Sequence, residues 1–151
     1  MFRKTMVAGW GDMDFNSHMR NTAYLDRSAD IRLQFFAEHG FPGSRFAELA
    51  LGPVVRRDEI EYFREVGLLE SFEVQLELCG QSEDGSRFHL RNRFFRHDGT
   101  PSATVTSVGG WLDIRARKLI APPAALLAAM NRMPRTKDFI VLPSSLKAAP
   151  R

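Results

Sequence analysis

Strict alternation is the clearest pattern in the chain. Phe72, Val74, Leu76 and Leu78 alternate with Glu73, Gln75 and Glu77, which predicts a strand with one buried face. Asp84-Gly85 marks a hairpin turn after it, and Arg87 to His97 follows as a strand with Phe88, Leu90 and Phe94 on one side. Asp98-Gly99 marks a second hairpin, leading into a strand over Ser102 to Arg115 whose Gly109-Gly110 pair predicts a bulge or a close backbone approach. Earlier strand signals are weaker: a short one at Thr5 to Gly9, and a mixed one from Gly52 to Val66. Between them the period changes. Asp26, Asp30, Gln34 and Glu38 form one i,i+4 polar stripe, while Leu25, Ala29, Ile31, Leu33, Phe35 and Phe36 cover most of the remaining girth. This predicts a helix over about 21–39, wrapped by other structure on several sides and stopped by Gly40. Pro122-Pro123 opens a second helix to about Met130.

The order is strand, long helix, then consecutive strands joined by tight turns. The fold class expected is α+β, an antiparallel sheet of about five strands around one long helix. Residues 1–131 form the expected domain, and 132–151, polar and interrupted by Pro134, Pro143 and Pro150, an expected irregular tail. One helix leaves a sheet face and edges uncovered, so a homodimer or tetramer is expected.

With 151 residues the chain suits a single domain with a real core. Its 21 basic and 18 acidic residues leave a net charge of +3, with arginines scattered among acids, so nucleic acid is not an expected partner. The lone cysteine, Cys79, permits no internal disulfide, which points to a reducing cytoplasm. The N-terminus lacks the apolar stretch of a signal peptide, and Leu119 to Met130 is too short to span a bilayer, so no membrane association is expected.

The chemistry concentrates between Trp10 and Tyr24, just ahead of the long helix. A helix start gathers unpaired N–H groups and partial positive charge, and can polarise a carbonyl. Asp12 and Asp14 flank Met13 and point the same way in an extended segment. One of them could instead cap the helix or satisfy loop amides. The four histidines lack zinc-site spacing, and a metal site from Asp12, Asp14 and His18 is not favoured. No Gly-x-Ser-x-Gly, Walker or Gly-x-Gly-x-x-Gly motif is present.

Gly11-Asp12-Met13-Asp14, then His18, Asn21 and Tyr24, resembles the 4-hydroxybenzoyl-CoA thioesterase branch of the hotdog-fold acyl-CoA thioesterases, whose pattern is roughly D-x-D-x-x-G-H-V-N-N-x-x-Y. The likeness runs over about residues 4–131. It departs at Ser17, Met19 and Arg20, where the family usually has glycine, valine and asparagine. The resemblance implies a sheet curled around the helix, two chains sharing a continuous sheet, and active sites at their interface. It implies an acyl or aryl CoA thioester as substrate, no cofactor and no metal. Asp14 matches the catalytic aspartate, and the backbone amide near Asn21 would hold the thioester carbonyl. His18 and Tyr24 would lie at the substrate pocket, His18 with a structural role. Arg87 and Lys118 either meet the anionic CoA nucleotide or are solvated surface charges. A thiolate leaves without strong acid help, since the cysteine analogue has a pKa of about 8.5. Asp14 as nucleophile, Asp14 as general base, and a non-catalytic acyl-CoA or fatty-ligand binder all remain open.

Overall fold

The computed structural model describes residues 1–146. Its elements in order are β1 (Phe2–Val7), a 3-10 turn (Trp10–Asp12), α1 (Asn21–Glu38), α2 (Gly43–Leu49), β2 (Leu51–Tyr62), β3 (Ser71–Ser82), β4 (Arg87–Arg96), β5 (Pro101–Asp113), β6 (Lys118–Ile120), α3 (Ala124–Asn131) and β7 (Arg135–Leu142). The main sheet runs β1-β3-β4-β5-β2, every pair antiparallel, with β6 added to β5 and β7 to β3. The architecture is the expected antiparallel sheet and long helix, with seven strands rather than about five. The first strand lies nearer the N-terminus than its apolar residues indicated. The short helix α2 carried no signal beyond Phe46, which packs on Phe41 and Trp111.

The core forms where α1 lies on the sheet. Ala23, Tyr24, Ile31, Phe35 and Phe36 are buried in one cluster with Phe72, Val74, Leu76, Phe94 and Val105. Aromatic rings set the spacing: Tyr24 stands 5.0 Å from Phe94, Phe2 5.0 Å from Phe35, and Phe36 5.7 Å from Trp111. Edge-on arrangements of this kind suit the charge distribution of the rings. The glycine pair in β5 is a close approach. A Cβ on Gly109 would sit 2.1 Å from the Val54 carbonyl oxygen, and one on Gly110 2.6 Å from that of Ser86. Any side chain there would push β2 or the β3–β4 turn away.

The helix does not cover the whole sheet. Ala29 and Leu33 on α1 are exposed, and so are Pro53, Val55, Asp58 and Tyr62 on β2, one of the two end strands of the main order. β2 therefore offers both a bare edge and a bare strip of inner face.

The stretch expected as an irregular tail instead contains β7. It pairs in parallel with residues 78–82 of β3, in line with β1, which pairs with residues 71–76 of the same strand. Thr136 and Leu142 are its buried residues. Arg91 holds Asp138 at 3.1 Å, and Arg135 lies over the Phe139 ring. Beyond β7, Ser144 donates to Asp84, which also accepts from Ser82 and from the hydroxyl and amide of Ser86. Burial opposes ionisation of Asp84, but these donors hold its carboxyl well below the usual range. Among the described residues no helix is long and apolar enough to cross a membrane.

Candidate active site

The loop between β1 and α1 is built around its two aspartates, which do different work. Asp12 is buried and accepts from the Gly9 N–H at 2.8 Å and from Arg27 Nη2, one turn and a half into α1, at 2.7 Å. Burial alone would raise its pKa, but the amide and the guanidinium together hold it below the ordinary value. Asp12 thus ties the loop to the helix. Its own carbonyl then receives the Arg20 N–H at 2.8 Å, which fixes where the helix begins.

Asp14 is exposed at the tip of a miniature hairpin. Met13 bridges to Met19, His18 bridges to Gly67, and the Met19 N–H donates to the Val66 carbonyl at 2.8 Å. One carboxylate oxygen of Asp14, Oδ1, accepts the Asn16 N–H at 2.8 Å and the His18 N–H at 3.1 Å. The other oxygen makes no hydrogen bond among the described residues and is free for chemistry. The turn needs Ser17 at φ 59, in the left-handed region that disfavours side chains. That explains why the family pattern has glycine there.

Neither aspartate caps α1, so the capping expectation is corrected. The N-cap residue is Arg20, with no side-chain cap. Asp12 and Asp14 are occupied by the loop's own amides. Asn21 Oδ1 accepts the Thr22 N–H at 2.8 Å, and the Ala23 N–H reaches the Arg20 carbonyl at 3.0 Å. The Asn21 N–H has no partner among the described residues. A donor at the positive end of an 18-residue helix is thereby left open.

Asp14, His18, Asn21, Tyr24, Tyr62 and Arg64 line one open cleft of about 440 Å³. Tyr24 is a wall rather than a free donor. Its hydroxyl donates to Ser102 Oγ at 3.0 Å, because Ser102 in turn donates to the Arg64 carbonyl at 2.8 Å. Burial pushes the Tyr24 pKa up. Tyr62 and Arg64 were not foreseen. Tyr62 ends a strand whose polarity is mixed and Arg64 lies just beyond it, and only the pairing with Ala103 places Tyr62 beside Tyr24. Arg27 falls within the predicted helix, but its pairing with Asp12 depends on the loop's path and carries no signal in the sequence.

Arg87 and Lys118 stand apart from this group. Arg87 is opposite Gly110 and Lys118 opposite Asp113, whereas the cleft adjoins Ser102, at the other end of β5. Along β4 the separation from Arg87 to Arg96 is about 30 Å. Within one protomer neither residue joins the cleft. A groove of about 530 Å³ on the outer sheet face does adjoin it, sharing Phe63 and Arg64 and lined also by Arg91 and Arg93. Among the described residues no cluster of three or more His, Cys, Asp or Glu is arranged to hold a metal ion.

Similar folds occur among solved structures. One is a hypothetical protein from Staphylococcus aureus in complex with CoA, 23% identical, with a TM-score of 0.77 over 99% of this chain and 95% of that one. A 1,4-dihydroxy-2-naphthoyl-CoA thioesterase from Synechocystis is 11% identical, with a TM-score of 0.77 over 87% and 96%. A DHNA-CoA thioesterase from Staphylococcus aureus is 14% identical, with a TM-score of 0.78 over 86% and 88%. These likenesses identify the hotdog fold. Residues 8–130 match the family model of the thioesterase-like superfamily, and the chain belongs to that superfamily.

Proposed function

We propose that the protein hydrolyses acyl-CoA thioesters in the cleft at the start of α1. The observation that carries this reading is the free oxygen of Asp14 beside a helix start whose Asn21 N–H is unpartnered. The N–H polarises the thioester carbonyl and receives the charge that develops on its oxygen. Asp14 acts in one of two ways. As a base it takes a proton from water while the water oxygen bonds to the carbonyl carbon; the C–S bond then breaks and CoA leaves as thiolate. As a nucleophile its oxygen bonds to that carbon, CoA leaves, and water cleaves the resulting anhydride. Both routes give a free carboxylic acid and CoA.

CoA bound to a structural relative and the thioesterase relatives support this class of substrate. The nucleotide's phosphates would follow the groove with Arg64, Arg91 and Arg93. Arg87 and Lys118 would meet them only from a second subunit. The bare edge and inner strip of β2 support a dimer that pairs β2 with itself. Residues 1–131 would then form the thioesterase unit, with β7 an addition to it. A non-catalytic acyl-CoA binder is the second reading, favoured by the openness of the cleft. Release of free thiol from a panel of short, long and aromatic acyl-CoAs decides between them: turnover of any one supports hydrolysis, whereas binding without turnover supports the second.

A further inference from the structure

An apolar cavity of about 170 Å³ lies between the second half of α1 and the first half of β2, lined by Leu33, Phe36, Phe46, Val55, Phe88 and Trp111. A single charged residue, Arg32, also borders it. Its guanidinium is held rigidly: Nε and Nη2 donate to Asn92 Oδ1 at 3.0 and 2.7 Å, and Nη2 also donates to Ser107 Oγ at 2.7 Å. Asn92 is fixed in turn by donating to the Gln75 carbonyl at 3.1 Å, and Ser107 by donating to Asp58. Nη1 has no hydrogen-bond partner among the described residues. No carboxylate there lies within ion-pair distance of Arg32; Asp58 acts on it only across Ser107. Burial draws the Arg32 pKa down to about 10, partly offset by Asp58, so the group remains charged at neutral pH. A fixed, half-buried cation beside an apolar cavity thus keeps one nitrogen, Nη1, without a partner among the described residues, and no carboxylate there pairs with it directly.

The cavity is far from its own protomer's cleft, since Val55 lies about 24 Å along β2 from Tyr62. A second copy changes this. Two β2 strands paired antiparallel about an axis near mid-strand bring Tyr62 of one protomer opposite the Leu51–Pro53 end of the other. In such a dimer the cleft of one subunit would lie beside the cavity of its partner.

We propose that this cavity receives the far end of the acyl group, and that Arg32 selects acyl groups ending in a carboxylate. The substrate class is the CoA monothioesters of dicarboxylic acids. This rests on the thioesterase reading above. The volume suits a chain segment of about six carbons, since an apolar cavity of roughly 150 Å³ holds a benzene ring. Arg32 Nη1 donates to the terminal carboxylate while the methylenes occupy the apolar walls.

The test compares CoA thioesters matched in length, with and without a terminal carboxylate: hexanoyl, octanoyl and decanoyl against their dicarboxylic counterparts. The CoA moiety is common to each pair and cancels. Wild-type kcat/KM is expected to favour the dicarboxylic partner by about 10-fold or more at the best length, the scale of a hydrogen bond to a charged group. Arg32→Met is expected to abolish or invert that ratio, and Arg32→Lys to keep part of it. A wild-type ratio at or below one at every length overturns the proposal, as does an unchanged ratio in a folded Arg32→Met protein. Should Arg32→Met fail to fold, the wild-type ratio and Arg32→Lys decide. Dissociation constants for the same pairs, by calorimetry on wild type and on Asp14→Asn, keep the two readings separable. Absence of turnover with tighter dicarboxylic binding sinks the thioesterase reading and upholds this one; equal binding overturns this one whatever the turnover.

Discussion

Replacing Asp14 tests the proposed chemistry apart from the loop's structure, because only one of its two oxygens is engaged by the loop. Oδ1 accepts two loop amides, from Asn16 and His18, and the other oxygen is unengaged. Asp14→Asn keeps an oxygen for the amides and removes only the charge and basicity of the other position. The loop should hold, and the melting temperature should stay within about 2 °C of wild type, since a change under 0.5 kcal/mol moves it by that much at most in a chain of this size. Turnover should fall by about 10²- to 10⁴-fold, the usual loss when a positioned base or nucleophile is removed. Asp14→Ala loses the acceptor as well. Two hydrogen bonds of roughly 1 kcal/mol each then go, and the melting temperature should drop by about 4–8 °C. The assay is steady-state thiol release beside thermal unfolding for both variants, with acyl-CoA affinity measured on Asp14→Asn. A folded Asp14→Asn protein with near-normal turnover would refute the reasoning. A large loss of stability in Asp14→Asn would show that the carboxylate's charge, not its acceptor geometry, holds the loop.

Three other outcomes are expected. Ser17→Gly should stabilise the protein by about 1 kcal/mol, because it relieves the left-handed backbone at φ 59; chemical denaturation checks this, and no gain would place the cost elsewhere. Arg27→Met should destabilise by about 2 kcal/mol at pH 7, leaving Asp12 without its cation. The Asp12 pKa is depressed in the folded state, so its contribution is present above the unfolded value near 3.8 and is lost as pH falls through the lower folded value; unfolding curves of wild type and Arg27→Met should therefore converge below pH 3.8. Finally, mixing Asp14→Asn and Arg32→Met proteins, with subunit exchange, should restore hydrolysis of a dicarboxylic monothioester. One of the two sites in the mixed dimer then combines an intact Asp14 with the partner's intact Arg32, and a mixture no more active than its components argues against a shared site.

Local chemistry was legible in the sequence where it is dictated by near neighbours. The alternation of Phe72 to Leu78, the two Asp-Gly turns and the crowding at Gly109 all emerge in the structure as β3, the hairpins and the close approach to Val54. The gathering of Asp14, His18, Asn21 and Tyr24 was legible for the same reason, since one loop and one helical turn hold them. What was hidden depends on contacts distant in sequence. Arg32 looks like an ordinary helix cation until Asn92 and Ser107 arrive from β4 and β5. β7 has little alternation of its own, and its register is set by β3 and by the Asp138 and Ser144 contacts rather than by its composition. Arg87 and Lys118 could be judged near or far from Asp14 only once the strand directions were known.

The sharing of one strand by two partners has a consequence for biosynthesis. β3 is flanked along its first half by β1, which precedes it in the chain, and along its second half by β7, whose end lies 60 residues after Ser82 (Ser82 to Leu142). At ribosomal rates of about 5–20 residues per second, the edge of residues 78–82 that faces away from β4 stays bare for roughly 3–12 s after it is made. During that interval a nascent chain carries an unpaired run of backbone donors and acceptors, open to pairing with a neighbouring nascent chain. The Asp84 contacts with Ser82 and Ser86 are local and can form at once, so the turn that later captures Ser144 is ready before β7 emerges. Slower translation across residues 83–142 is therefore expected to lengthen the time for which this edge can pair with a neighbouring chain.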